Sequence, residues 1–351
     1  MYATTIGLDI AKSVFQVHGE ASGKIVVTKR LRRAQVVDFF AKLPPARIGI
    51  EACGSSHYWG RTLRALGHDV LLIPAGYVKP FVRRNKTDAR DAAAICAALG
   101  RPDMRFVPIK SVEQQAARGL ERSRDLLVKQ QTQLMNSVRS QLAELGIVAA
   151  QGRRGFNDIA ALLAAGDDDV PPVLLSALRL LVRQIDQLGT AIVILEKQIV
   201  ARARENETMR RLATIPGVGP LTAHAIVTAV GDGKQFACAR DFAAWCGLTR
   251  RVDQSADKRR ERGISHQGEM RLRKLLALGG STLMRHARAC PERATEWQRG
   301  ILARRPVKVA VLAQAARTAR IAWAMMQSNE SYRRPALATS AAQAGNTLLA
   351  G

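Results

Sequence analysis

The sequence predicts an α/β unit followed by an all-α remainder. Three observations carry this. The first hundred residues alternate short apolar, β-branched runs with Ala- and Leu-rich stretches. Ser111 to Leu145 contains no Pro and spaces its apolar residues as a helix does. From about Arg210 the pattern is again helical, and it is basic: Arg250 to Arg305 holds 15 Lys or Arg against 6 Asp or Glu.

Within the first part, Thr4 to Leu8, Val14 to His18 and Lys24 to Thr28 read as an antiparallel meander. Ala34 to Leu43 reads as a helix. Arg47 to Ala52, opened by Pro44-Pro45, is a compact apolar strand. Tyr58 to Leu66 is a helix stopped at Gly67, and Asp69 to Ile73 a buried strand stopped at Pro74. Thr87 to Leu99 is an Ala-rich helix with Thr87 placed to cap it.

In the middle, Leu120, Leu127, Leu134, Val138, Leu142 and Leu145 share a helix face, and Gly146 ends the run. Gln151 to Asp169 reads as a polar break before Pro171-Pro172. Leu178, Leu181, Ile185, Leu188, Ile192, Leu195 and Ile199 then alternate steps of three and four, a heptad seam. Two long helices of this kind suit an antiparallel hairpin, a dimer seam, or both. The expected domains are 1–108, a helical coiled-coil region 109–207, a basic helical domain 208–334 and a disordered tail 335–351.

Composition bounds the function. At about 150 residues per domain, 351 residues make two or three domains. A hydrophobic share of 47% excludes a disordered coil. No run of 18 apolar residues exists, which excludes a spanning helix. The five cysteines are odd in number, none forms a CxxC, and Met1 to Asp9 has no signal-peptide pattern. A reducing cytosol is therefore expected. Lys plus Arg number 54 against 29 Asp plus Glu, a net charge of +25. Such a chain binds a polyanion, with nucleic acid first and an anionic membrane surface second.

The acids are few and their placing is informative. Asp9 ends the first strand in Gly7-Leu8-Asp9-Ile10-Ala11-Lys12, and Glu51 ends the strand Ile48-Gly49-Ile50. Asp88 and Asp91 stand three apart and share a helix face. A carboxylate ending a buried strand needs a partner or a metal. Two strand ends and one helical pair can converge beside a sheet. Divalent cations remove the resulting repulsion, and hard oxygen ligands suit Mg²⁺. Two ions about 4 Å apart would clamp the attacking and leaving oxygens of a phosphodiester.

The stretches GLDIAK around Asp9, IGIEACGSSHYW around Glu51 and NKTDARDAAAI around Asp88 and Asp91 resemble the DEDD transposases of the insertion sequence 110 type, with the related Piv-like DNA invertases. The resemblance implies a RuvC-like, ribonuclease-H-like N-terminal domain whose four acids, Asp9, Glu51, Asp88 and Asp91, bind the metal. It covers roughly Thr4 to Arg334.

Two C-terminal stretches carry further readings. Ile215-Pro216-Gly217-Val218-Gly219-Pro220 precedes an apolar helix, Leu221 to Val230. Glycines before a helix N-terminus expose backbone N–H groups to a phosphate, as in a helix-hairpin-helix element. The competing reading is a tight turn in which Gly217 and Gly219 only permit close packing. Next, Val252 to Arg262 is polar, and Gly263 to Gly268 leads into a helix starting at Glu269. Ile215 to Leu276 resembles the family's second domain, which carries a Gln-Ser-Ser-Gly-Gly-Lys loop and a serine nucleophile that joins to DNA. Aligned back from Lys258, Ser255 falls on the second serine. Gln254 replaces the first, and Ala256 and Asp257 replace the glycines. Ser265 is the alternative nucleophile, and it also suits a helix N-cap. Arg250, Arg251, Lys258 and Arg259 flank Ser255 as phosphate contacts and helpers.

Three functions follow. The first is a recombinase that cuts and rejoins DNA through Mg²⁺ and a phosphoserine at Ser255. The resemblance adds homo-oligomeric assembly as a dimer or tetramer, a structured guide RNA in some members, and a composite site across subunits. The second is a junction endonuclease using the acids and water alone. The third is a non-catalytic nucleic-acid-binding remnant.

Overall fold

A computed structural model describes residues 2–82, 87–166, 168–255 and 258–333. The chain forms two units, Met1–Gln115 and Ala116–Gly351. The expected disordered tail lies outside the described residues.

The first unit is built on a mixed five-stranded sheet. β1 (Thr5–Ile10), β2 (Val14–Ala21) and β3 (Lys24–Arg32) form the antiparallel meander expected from the sequence. A 3₁₀ turn at Arg33–Gln35 and α1 (Val36–Ala41) lead to β4 (Arg47–Glu51), which lies parallel to β1. α2 (Ser56–Ala65) then leads to β5 (Asp69–Ile73), parallel to β4. The strand order is β3-β2-β1-β4-β5. After α3 (Ala75–Val78) comes α4 (Asp88–Leu99).

Alternation along each strand sorts its side chains between two faces. Ile6, Leu8, Ile48 and Ile50 pack with Phe15, Trp59 and Leu63 in one core. On the other face, α4 brings Ala94, Ile95, Ala98 and Leu99 against Ile73 and Val78. α4 crosses the sheet where β1 and β4 carry Gly7 and Gly49, partners in the ladder.

α5 (Val112–Ala143) starts at a reciprocal cap. The Gln114 N–H donates to Ser111 Oγ at 3.1 Å, and the Ser111 N–H donates to Gln114 Oε1 at 3.0 Å. In the second unit α6 (Gly152–Ala165) and α7 (Pro172–Glu205) follow. α6 corrects the expected polar break at Gln151 to Asp169. Phe156, Ile159 and Leu163 recur at helical spacing, and they bury against Val138, Leu142 and Leu178. α5 and α7 run antiparallel, with Arg124 bonded to Glu196 at 2.9 Å and Gln131 Nε2 donating to the Ile185 carbonyl at 3.0 Å. Along the α7 seam Leu178, Ile185, Ile192 and Ile199 are buried, while Leu181, Leu188 and Leu195 are half-buried.

The remaining helices are α8 (Glu207–Leu212), α9 (Pro220–Val230), α10 (Ala239–Trp245), α11 (Met270–Ala289), α12 (Glu296–Arg304) and α13 (Val307–Ser328). They enclose a core that includes Ile226, Phe242, Leu272, Leu276, Ala315 and Ala319. The all-α expectation needs one correction here. β6 (Arg250–Ser255) and β7 (Lys258–Ile264) pair as an antiparallel ribbon. Its β-branched content is low, so the pattern of alternation is weak in the sequence. No described helix is long and apolar enough to cross a membrane.

Candidate active site

The acids of the first unit are placed by register. Leu8 pairs with Ile50 across the parallel ladder, so Asp9 and Glu51 follow at the same level on adjacent strands. Each stands two residues beyond a glycine, Gly7 and Gly49, and so on the same face of the sheet. That face carries α4. A Cβ on Gly7 would overlap the Ala92 carbonyl oxygen and lie 2.6 Å from the Cys96 nitrogen. Gly7 thus lets the α4 backbone rest on β1. The approach carries the first turn of α4 to the end of β1.

That turn holds Asp88 and Asp91, and Thr87 caps it by accepting the Arg90 N–H at 3.4 Å. Acids in a first turn are favoured by the helix dipole. Ligand oxygens of Asp9, Asp88 and Asp91 all lie within 4.8 Å of one another. Asp88 is exposed, and Asp9 and Asp91 are half-buried. Glu51 is half-buried on the neighbouring strand and is not one of this converging trio. Its charge is still felt nearby. Burial first, then Glu51 and Asp9, push the Cys53 thiol above its usual value. Three hard oxygens, partly open to solvent, are a donor set that fits a divalent cation of the Mg²⁺ type. All five cysteines are free thiols.

In the second unit Ser255 ends β6 and pairs with Lys258, which opens β7. The loop residues between them, Ala256 and Asp257, lie outside the described residues, as do the side chains of Ser255, Lys258 and Arg259. Gln254 pairs with Arg259. Arg250 and Arg251 are exposed on β6, and Arg251 pairs with Asp253 at 3.2 Å. Ser265 lies beyond the ribbon, its N–H donating to the Thr249 carbonyl at 2.9 Å. The N-cap of α11 is Glu269, which corrects the expectation that Ser265 caps that helix.

The Ile215–Pro220 stretch is a turn between α8 and α9. Gly217 has φ +80°, and a Cβ there would lie 3.0 Å from Leu283 Cδ1 and 3.1 Å from the Gly279 carbonyl oxygen of α11. Close packing therefore accounts for Gly217. Gly219 is different. It is the N-cap of α9 in ordinary extended backbone, with open space beside its Cα.

Comparison with known proteins decides the family. A DEDD transposase profile of the IS110 type matches residues 6–147, and one described as "Transposase IS116/IS110/IS902 family" matches 209–295. A Pseudomonas aeruginosa protein named "Probable family 20 transposase" is 43% identical over 338 residues, 95% of this chain and 99% of its own. The "Transposase for insertion sequence element IS1111A" of Coxiella burnetii is 38% identical over 330 residues, 93% of this chain and 91% of its own.

The chain belongs to the IS110/IS116 family of insertion-sequence transposases. The Piv-type likeness is narrower. The "Pilin gene-inverting protein" of Moraxella bovis is 39% identical over 69 residues, 19% of this chain and 21% of its own. Neither the endonuclease nor the inactive remnant is favoured by these relatives.

This transposase also holds a group that the sequence reading missed. Glu121 of α5 is buried, and its Oε1 lies 2.6 Å from His224 Nδ1 and accepts the Thr228 hydroxyl at 3.0 Å. Its Oε2 pairs with Arg271 of α11, whose Nε donates to Asp125 at 2.6 Å. Arg118 and Glu269 pair at 2.9 Å one turn along α5. These pairs tie α5 to α9 and to the start of α11. The only sequence signal was the i, i+4 spacing of Glu121 and Asp125, which any solvated helix face shares.

Proposed function

We propose that this transposase cuts and rejoins DNA strands with Mg²⁺ held by Asp9, Glu51, Asp88 and Asp91 and with Ser255 as the nucleophile. The observation that carries the reading is the convergence of Asp9, Asp88 and Asp91 within 4.8 Å. It is supported by the sheet order, with an antiparallel meander flanked by parallel strands, which suits a ribonuclease-H-like, RuvC-like domain.

Bound Mg²⁺ would neutralise the developing charge on a scissile phosphate. The chain's own residues do the rest. Asp9, Asp88 and Asp91, with Glu51 beside them, would hold the ion and so turn a patch that repels phosphate into one that accepts it. The Ser255 oxygen attacks phosphorus, loses its proton to solvent or a nearby base, and displaces a deoxyribose oxygen, which leaves as a hydroxyl. The phosphoserine keeps the bond energy for rejoining to a second strand hydroxyl, which restores the serine. Arg250, Arg251, Lys258 and Arg259 on the ribbon steady the backbone phosphates. Gly219, at the head of α9, leaves room for a phosphate to approach the helix N–H groups. A guide RNA, a dimeric or tetrameric assembly and action on cytoplasmic, nucleoid DNA complete the reading. The net charge of +25 suits both nucleic acids.

The test is a protein–DNA adduct. Purified protein, Mg²⁺, labelled element-end and target DNA and RNA from the element flanks are incubated, then run on a denaturing gel. An adduct present in wild type and Ser265→Ala, and absent in Ser255→Ala and Asp9→Asn, supports the reading. Cleavage with no adduct in any variant overturns the serine step. An adduct lost only in Ser265→Ala moves the nucleophile.

A further inference from the structure

The sheet end that carries the acids also carries a cationic and aromatic cluster on its opposite face. Arg33 follows β3, and its N–H donates to the Ser13 carbonyl at 2.9 Å in the β1–β2 turn. The start of α2 faces it. The Arg33 guanidinium carbon lies 5.0 Å from the Trp59 ring centroid and 6.0 Å from that of Tyr58. Tyr58 stands edge-on to Trp59 at 5.1 Å, and Trp59 edge-on to Phe15 at 4.9 Å.

These rings are treated differently by the fold. Trp59 is 2% exposed and Phe15 is fully buried, which makes them a rigid base. Tyr58 is 49% exposed. Its ring is thus held by Trp59 at one edge and open to solvent elsewhere. Lys12, Arg32 and Arg33 are exposed at the same sheet end, and none has a carboxylate partner among the described residues. An arginine stacked on aromatic rings keeps its N–H groups for a phosphate.

We infer that Tyr58 and Arg33 form a docking platform for an unpaired DNA base and its phosphate, across the sheet end from the acids. The inference rests on reading Asp9, Asp88 and Asp91 as the phosphate-holding site. The ring selects unpaired DNA because base faces inside a duplex are already covered by stacking, whereas a displaced base offers one. Lys12, Arg32 and Arg33 supply the charge that follows the backbone around the sheet end. A platform here holds the strand on the far side of the sheet end from the acids and fixes which phosphate reaches them.

The full-length protein in EDTA, where strands stay intact, is irradiated with single-stranded DNA carrying 5-iodouracil, and cross-linked peptides are mapped by mass spectrometry. A cross-link at Tyr58, kept in Tyr58→Phe and in Asp9→Asn, is expected. Tyr58→Ala should weaken single-strand binding about ten-fold and leave duplex binding unchanged. Arg33→Ala should lower the salt slope of single-strand binding by about 0.7, one phosphate contact. Cross-links confined to other segments overturn the inference. So does equal weakening of duplex and single strand in Tyr58→Ala, or a Tyr58 cross-link to RNA without one to DNA. Strand cutting by Asp9→Asn with Mg²⁺ is read separately, so failure of the acid site and failure of the platform give different results.

Discussion

Gly7 and Gly49 are partners across the parallel ladder of β1 and β4, and α4 lies over both. The pair removes side-chain volume where a helix must reach two strands at once. Asp9 and Glu51 stand two residues further along the same strands, on the same face. The site is thus built one pleat beyond a glycine bed.

Gly7→Ala should therefore cost more than Gly49→Ala. The Cβ at Gly7 meets backbone atoms of Ala92 and Cys96, which cannot swing aside. At Gly49 it meets side-chain atoms of Ile95, Leu99 and Ile73 at 3.1–3.4 Å, which can give. Urea unfolding should show a loss of about 1–3 kcal/mol for Gly7→Ala. The smaller loss belongs to Gly49→Ala. The reverse order would contradict the bed.

Removing charge from the acid trio should abolish the protein's response to metal. Asp9, Asp88 and Asp91 offer the ion three converging oxygens. Saturating Mg²⁺ or Mn²⁺ at about 100 times Kd should add about 2.7 kcal/mol to wild type. In Asp9→Asn the melting temperature should stay unmoved by the ion. EDTA should stop strand cutting in wild type and leave DNA binding in place.

Cys96 gives a pH dependence of known sign. Burial, with Glu20 adding repulsion, raises its thiol from the usual 9.0 to about 11. The unfolded chain then releases this proton first as pH rises. The contribution is intact below pH 9 and is lost between pH 9 and about 11. Urea midpoints across that window should fall more steeply for wild type than for Cys96→Ala. Parallel curves would show that Cys96 contributes nothing.

Glu121 should be the costliest carboxylate to delete in the second unit. Its side chain is 2% exposed and serves His224, Thr228 and Arg271 together. Glu121→Ala leaves the buried His224 and Thr228 without their acceptor and Arg271 with Asp125 alone, a loss of about 3–5 kcal/mol. Arg118→Ala, at a more open pair, should cost about 1 kcal/mol or less. Thermal unfolding of the two variants tests the ranking, and a Glu121–Arg271 double-mutant cycle isolates the pair.

Much of the fold was legible in the residue pattern. The three-strand meander, β4, β5 and the Thr87 cap followed from alternation, prolines and a capping residue. α6 was missed although Phe156, Ile159 and Leu163 carried its period, because the charged residues around them read as a break. The β6–β7 ribbon was missed because its run of arginines hides a strand's alternation. Ser265 suited an N-cap locally, yet α11 begins after Glu269, where Gly268, with φ +73°, turns the chain.

By itself the sequence determined which residue types stand at strand ends and helix starts, since these depend on neighbours a few positions away. It therefore named Asp9, Glu51, Asp88 and Asp91 and the family's motifs. Only the tertiary structure decided that three of those acids meet while Glu51 sits alongside. Only it paired Glu121 with His224 and Arg271, and set Arg33 against Tyr58. Such contacts join residues far apart in the chain, and their distances come from how backbones pack. At Gly7 that packing turns on the absence of a single methyl group.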